Sequence, residues 1–196
     1  MKIIVRNTAK EAAATAAAIV CAQLTRKPDS VLGLPTGSTP VALYAALISM
    51  YEEGLIDFSE ATCFNLDEYM GVAADHPASY RRFMHDRLFA RVNAEPARLH
   101  IPDGMAADPQ AECARYEQAV TNAGGIDLMI LGIGLNGHIG FNEPSDTFAM
   151  RTHLAVLSEA TLRSNKRDFS AGEAVPLRAY TMGVGTIFRA REIMLL

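Results

Sequence analysis

The chain has 196 residues, enough for one domain with a substantial buried core. Charged residues are 20% and hydrophobic residues 49%, a globular balance that argues against disorder. The net charge of −4 disfavours non-specific binding to nucleic acid or an anionic membrane, so any anionic ligand needs a local site.

In chain order, "KIIVR" predicts a short strand. Thr8-x-x-Glu11 is a capping box that opens an Ala-rich helix to about Leu24. Lys10 and Glu11 interrupt the apolar N-terminal stretch, which therefore does not read as a secretory leader. No run approaches the roughly 18 apolar residues of a membrane span. "SVLGLP" predicts a buried strand, "TGST" a turn, and Pro40 the first residue of the helix "VALYAALISMY". "ATCFNLD" is the next strand and runs into a polar loop. Tyr80, Phe83, Met84, Leu88 and Val92 then recur at helical spacing. "RLHIP" is short and extended, and Asp108-Pro109 starts a helix that Gly124-Gly125 stops. "IDLMILGIG" is a buried strand. Cys21, Cys63 and Cys113 are odd in number and far apart, without C-x-x-C spacing. Reduced thiols in the cytoplasm fit better than a disulfide framework or a zinc site.

Strands and helices alternate, which predicts one α/β domain over 1–196 with a mainly parallel central sheet and helices on both faces. Ligands in such sheets collect at the carboxyl ends of the strands. Three strand exits therefore matter: 35–40, 67–71 and 132–143.

At the first exit, Thr36, Gly37, Ser38 and Thr39 lie between a strand and a helix N-terminus. Free N–H groups, hydroxyls and the helix dipole suit an anion there. No Gly-Lys-Ser/Thr follows, so a single phosphate fits better than a nucleoside triphosphate. A plain capped turn would use the same residues. At the second exit, Asp67 and Glu68 follow a buried strand. Adjacent strand residues point in opposite directions, so one carboxylate faces a pocket and the other does not. A desolvated carboxylate there suits a general base; a helix cap or ion pair is the alternative.

The third exit, "LGIGLNGHIGFNEP", carries the G-x-G-x-x-G spacing of Gly132, Gly134 and Gly137. A dinucleotide fingerprint also requires an immediate helix and an acid at the end of the next strand. Gly140 and Pro144 interrupt any helix, and no strand is expected before Ser158 and Glu159. The side chains offer another reading. His138 with Glu143 and Asn136 suits a proton-shuttling group, the carboxylate fixing the tautomer and raising basicity; a structural His bonded to a loop carboxylate is the alternative. No second His stands at ligand spacing, so no metal is expected. His76, His85, His100 and His153 have no comparable context.

Taken together, "LGLPTGSTP", "FNLDEYMG" and "GIGLNGHIGFNEP", with "HPASYRRFM" and "MGVGTI", resemble the glucosamine-6-phosphate deaminase family over essentially the whole chain. The resemblance implies a Rossmann-like fold shared with 6-phosphogluconolactonases and ribose-5-phosphate isomerase. It implies conversion of glucosamine 6-phosphate and water to fructose 6-phosphate and ammonia, without metal or organic cofactor. His138, with Glu143 and Asn136, would assist opening of the sugar ring. Asp67 would take the C2 proton and return a proton at C1. Thr36, Gly37, Ser38, Thr39 and Gly137 would hold substrate and phosphate. Arg167, in "LRSNKRDF", would reach the phosphate from a lid over 158–175, a stretch with few apolar residues to anchor it. Lys166 and Arg163 are expected to be solvated. Family members carry Asp or Asn where Asn136 stands.

Two departures matter. Family members continue past "REIMLL" with a Gly-Ser-x-Lys-type segment whose lysine touches the phosphate. Its absence implies a shortened chain or part of a longer one, a "EIMLL" strand short of helical cover, and weaker phosphate binding. The basic positions that bind an N-acetylated effector in allosteric members fall at His153 and Ala155, and Asp146 replaces a small hydroxyl residue. A monomeric or weakly associated enzyme, not activated by N-acetylglucosamine 6-phosphate, is expected. Rival readings are a sugar-phosphate lactonase on the same fold and a non-catalytic sugar-phosphate sensor.

Overall fold

The computed structural model describes residues 1–134 and 136–196. Five short apolar strands form the central sheet: β1 (Val31–Leu34), β2 (Thr62–Asn65), β4 (Leu99–His100), β5 (Leu128–Leu131) and β8 (Glu192–Leu195). They lie in the order β4-β2-β1-β5-β8, and every pairing is parallel. Alternate residues serve opposite faces. Leu32, Leu34, Leu128 and Ile130 pack under α1 (Ala9–Arg26), α2 (Val41–Glu52) and α3 (Tyr80–Arg87). Val31, Met129 and Leu131 pack under α4 (Pro109–Asn122) and α6 (Val184–Phe188). The expected helix-covered parallel sheet is present.

Local signals place the helix starts. Thr8 caps α1 by accepting from Glu11 N at 3.1 Å, and Glu11 reaches back to Asn7 N at 3.0 Å. Asp108 caps α4 through the N–H groups of Gln110 and Ala111. Pro40 stands at the N-cap of α2, one position before its expected place.

Three expectations fail. Residues 2–6 form no strand, and Ile3 and Val5 are 75% and 80% exposed. β-Branched residues stabilise a strand only beside a partner; here Arg6 instead donates to Thr15 Oγ1 at 2.8 Å. "ATCFNLD" is not one strand. The chain leaves the parallel sheet after Asn65 and enters a second, antiparallel sheet as β3 (Asp67–Tyr69). That sheet has the order β3-β7-β6, with β6 at His153–Val156 and β7 at Arg178–Thr181. A strand therefore does precede Ser158, contrary to expectation. It belongs to the antiparallel sheet and cannot supply the acid of a dinucleotide fingerprint.

The segment 158–175 has more apolar anchorage than its polar sequence suggests. This segment contains α5 (Glu159–Asn165) and is anchored by buried Phe169, packed edge-on against Tyr69 at 5.3 Å. Its far end is tied down by Glu173 Oε1, 2.7 Å from His76 Nε2. On the β8 edge, Ile193 and Leu195 are 41% and 54% exposed. All three cysteines are free. Among the described residues, no helix is long and apolar enough to cross a membrane, and no His/Cys/Asp/Glu cluster could hold a metal ion.

Candidate active site

The three strand exits meet around one cavity of about 520 Å³. Residues 35–39 after β1, Asp67 at the start of β3, and Gly132, Gly134, Asn136, His138 and Gly140 after β5 form its floor and walls. Ala160, Thr161, Ser164, Asn165 and Arg167 form its cover. Leu135, within the third motif, lies outside the described residues.

The first exit has the geometry an anion would require. Gly37 takes φ +91°, a backbone state that few other residues adopt, and turns the chain into the start of α2. No side chain caps α2. The backbone N–H groups of Gly37, Ser38 and Thr39 find no acceptor among the described residues. Unpaired donors at a helix N-terminus are what a phosphate needs. The loop is braced from below by the Tyr44 hydroxyl, which donates to Pro35 O.

The second exit separates its two carboxylates. Asp67 lines the cavity. Glu68 points away and accepts from the Ser79 hydroxyl at 2.7 Å and from the N–H groups of Tyr69, Tyr80 and Arg81. It thereby ties β3 to the start of α3. Asp67 is 6% exposed, and its Oδ1 has no hydrogen-bond partner. Burial pushes its pKa up to about 8; the neighbouring Glu68 adds to the rise and the Thr36 hydroxyl offsets part of it. A carboxyl with that value can exchange a proton near neutral pH.

At the third exit, His138 and Glu143 do not bond directly; Nδ1 and Oε2 are 4.0 Å apart. Asn136 bridges them. Its Nδ2 donates to Glu143 Oε2 at 2.7 Å, and its Oδ1 accepts from His138 Nδ1 at 2.7 Å. The amide oxygen can only accept, so Nδ1 carries the proton and Nε2 is left as the base. Burial pushes Glu143 up, but donors at Thr161, Asn136 and Ser158, with nearby His138, hold it below the ordinary carboxylate value.

Two glycines make room for these groups. A Cβ on Gly134 would sit 2.3–2.5 Å from three atoms of the His138 ring. Gly140, at φ +57°, lies against Thr181 and the Asp67 carboxylate. No residue described between Gly132 and Gly137 is helical, so the glycine spacing serves the imidazole and not a dinucleotide.

The cavity thus brings Thr36, Gly37, Ser38, Thr39, Asp67, Asn136, His138 and Arg167 together. Glu143 stands behind Asn136, and Gly137 is an exposed turn residue with φ +88° that is not part of the cavity wall. Arg167 is largely exposed, 3.8 Å from Asp168. Arg163 is exposed and pairs with Glu159. Lys166 is not part of the cavity wall. Sequence reasoning missed Tyr80, Thr161, Ser164 and Asn165, which also line the cavity. Tyr80 counts there only as one of an apolar helical series, and the other three lie in the polar segment.

Replacing Asn136 with Asp would set two carboxylates 2.7 Å apart, where they must share a proton. An ionised partner on Nδ1 also holds the imidazolium. The expected result for Asn136→Asp is activity within about tenfold of wild type, with the acid limb of kcat/KM moved to higher pH. An unchanged profile would exclude Asn136 from the relay.

Comparison with known proteins places this cavity in context. A sequence profile of the glucosamine-6-phosphate isomerases/6-phosphogluconolactonase family matches residues 5–196. A glucosamine-6-phosphate deaminase of Thermoanaerobacter sp. (strain X514) is 50% identical over the whole chain, which covers 78% of that relative. One from Halothermothrix orenii is also 50% identical, with 81% of it covered. The solved structure of a monomeric glucosamine-6-phosphate deaminase superposes with a TM-score of 0.96 at 45% identity, covering 100% of this chain and 81% of that one. The 6-phosphogluconolactonase of Thermotoga maritima shares the fold, with a TM-score of 0.71 at 18% identity. The chain belongs to the glucosamine-6-phosphate isomerase/6-phosphogluconolactonase family.

Proposed function

We propose that this protein is a glucosamine-6-phosphate deaminase, converting glucosamine 6-phosphate and water to fructose 6-phosphate and ammonia. The observation that carries the reading is one cavity holding an anion cradle, a carboxyl tuned near neutrality and an Asn-bridged imidazole–carboxylate relay. The deaminase relatives at 50% identity support it over a lactonase, whose likeness to this chain is one of fold.

The phosphate binds the free N–H groups and hydroxyls of Thr36–Thr39, with Arg167 closing over it as a bidentate donor. His138 Nε2 takes the proton of the sugar's anomeric hydroxyl and passes it to the ring oxygen, opening the pyranose. Asp67, ionised, then removes the C2 proton. The electron pair forms the C1=C2 bond as the C1 carbonyl π bond opens, and O1 takes a proton from the substrate's C2 ammonium to give the enolamine. Protonation at C1 by the same carboxyl gives an imine at C2. Water adds to the imine, and the C–N bond breaks to release ammonia and the ketone. No step needs a cofactor. Residues 158–175 serve as the lid, and 1–196 acts as one domain.

The reading extends to a cytoplasmic monomer or weak oligomer without an N-acetylated effector site. The monomeric deaminase at 45% identity supports the monomer. Where allosteric members place basic effector ligands, this chain has His153 and Ala155, and Ala155 is buried. Hyperbolic kinetics are expected, unchanged by added N-acetylglucosamine 6-phosphate. Sigmoidal curves relieved by that compound would contradict it.

The test of function is direct. Purified protein with glucosamine 6-phosphate should give ammonia and fructose 6-phosphate in equal amounts. Hydrolysis of 6-phosphogluconolactone without ammonia release from the amino sugar would favour the lactonase reading.

A further inference from the structure

Glu143 is held from two directions. Asn136 donates to its Oε2 at 2.7 Å. Its Oε1 accepts the Ser158 hydroxyl at 3.0 Å and the Thr161 hydroxyl at shorter range. Both hydroxyls come from the first turn of α5, inside the segment that covers the cavity. Ser158 serves twice: its oxygen caps α5 by accepting from Thr161 N at 3.2 Å, and its proton reaches Glu143. Thr161 is 4% exposed, so its hydroxyl is shielded from competing water. The same segment carries Arg167 to the cavity wall.

We propose that Thr161, with Ser158, is a positioning residue that fixes Glu143 only when 158–175 lies over the cavity. Phosphate capture by Arg167 and completion of the Glu143–Asn136–His138 relay are then one event. A substrate without the phosphate leaves the cover loose and the relay incomplete. The role of phosphate rests on the deaminase reading; the grip of Thr161 on Glu143 does not.

The expected signature follows from the charge on Glu143. Thr161 is one of three donors that keep it ionised. Among the described residues, the titratable group facing it is His138, with Nδ1 at 4.0 Å. Losing a donor makes Glu143 take up a proton at higher pH.

The test uses the full chain and three variants: Thr161→Val, which keeps the shape and loses the donor, Thr161→Ser, which keeps the donor, and Ser158→Ala. Two quantities are measured: kcat and KM for glucosamine 6-phosphate across pH, and the NMR titration of the Glu143 carboxyl. Thr161→Val should lower kcat about tenfold, the usual effect of losing a hydrogen bond to a charge, with KM changed by less than about threefold. Its Glu143 titration should move to higher pH, and Thr161→Ser should restore both that titration and kcat. Ser158→Ala should shift the Glu143 titration in the same direction, which keeps the test open if Thr161→Val fails to fold. Arg167→Lys should cost less in the Thr161→Val background than in wild type, because the two act through one closure. An unmoved Glu143 titration in Thr161→Val and Ser158→Ala, or no rescue by Thr161→Ser, overturns the proposal. A moved titration in a protein that releases no ammonia would reject the deaminase reading and leave the positioning role standing.

Discussion

Asp67→Asn is expected to cut ammonia release from glucosamine 6-phosphate by about 10²–10⁴-fold, the usual size of a general-base contribution. The amide keeps the shape and cannot take the C2 proton. In wild type the carboxyl must first ionise, and its pKa of about 8 sets where that happens. The kcat/KM of the free enzyme should therefore rise with pH up to about 8, and the residual rate of Asp67→Asn should lack that rise.

The same group makes a separable prediction for stability. The folded state retains a proton on Asp67 that the unfolded state, titrating near 3.8, gives up. The contribution of Asp67 is thus fully present below about 3.8 and is lost as pH rises to about 8. The slope is at most about 1.4 kcal/mol per pH unit. Asp67→Asn removes that slope. Denaturant melts from pH 5 to 9 should show the variant gaining on wild type as pH rises, then running parallel above about 8. A constant offset across that range would mean that Asp67 titrates normally.

Gly134→Ala should be nearly as damaging to activity, through a single methyl group. Its Cβ would lie 2.3–2.5 Å from Cε1, Nε2 and Nδ1 of His138, well inside contact distance. The backbone of Gly134 does not take a positive φ, so Ala fits the chain itself. The strain falls on the imidazole, which must swing away from Asn136. A displacement of about 1 Å at a reacting group costs on the order of 100-fold. The expected result is a loss of that size in kcat/KM with folding preserved, read by kinetics alongside a thermal melt. Near-wild-type kcat/KM would show that the ring does not need this position.

Much of the site was legible because its parts sit at strand exits of a parallel sheet. Motifs that are local in sequence, such as Thr36–Thr39, need no distant partner to reveal their chemistry. The alternation of Asp67 and Glu68 also follows from strand geometry alone, and the structure separates them that way. What was hidden depends on tertiary partners. The change of sheet at Leu66 arises because Asp67 pairs with Thr181, 114 positions along, and no local signal marks it. The unpaired 2–6 stretch has the β-branched residues of a strand while lacking a neighbour. Sequence spacing put Glu143 beside His138, yet Asn136 stands between them, because an amide can donate to one and accept from the other. The hydroxyls of Ser158 and Thr161 look like an ordinary helix start until Glu143 is seen against them.

Fate of the label in glucosamine 6-phosphate deuterated at C2 tests whether one carboxyl performs the carbon chemistry of this cavity. The wild-type protein should strip deuterium from C2 and deliver it to C1 of the product or to water. Asp67→Asn should leave the label in place. Loss of the C2 deuterium at the wild-type rate from Asp67→Asn would contradict the account.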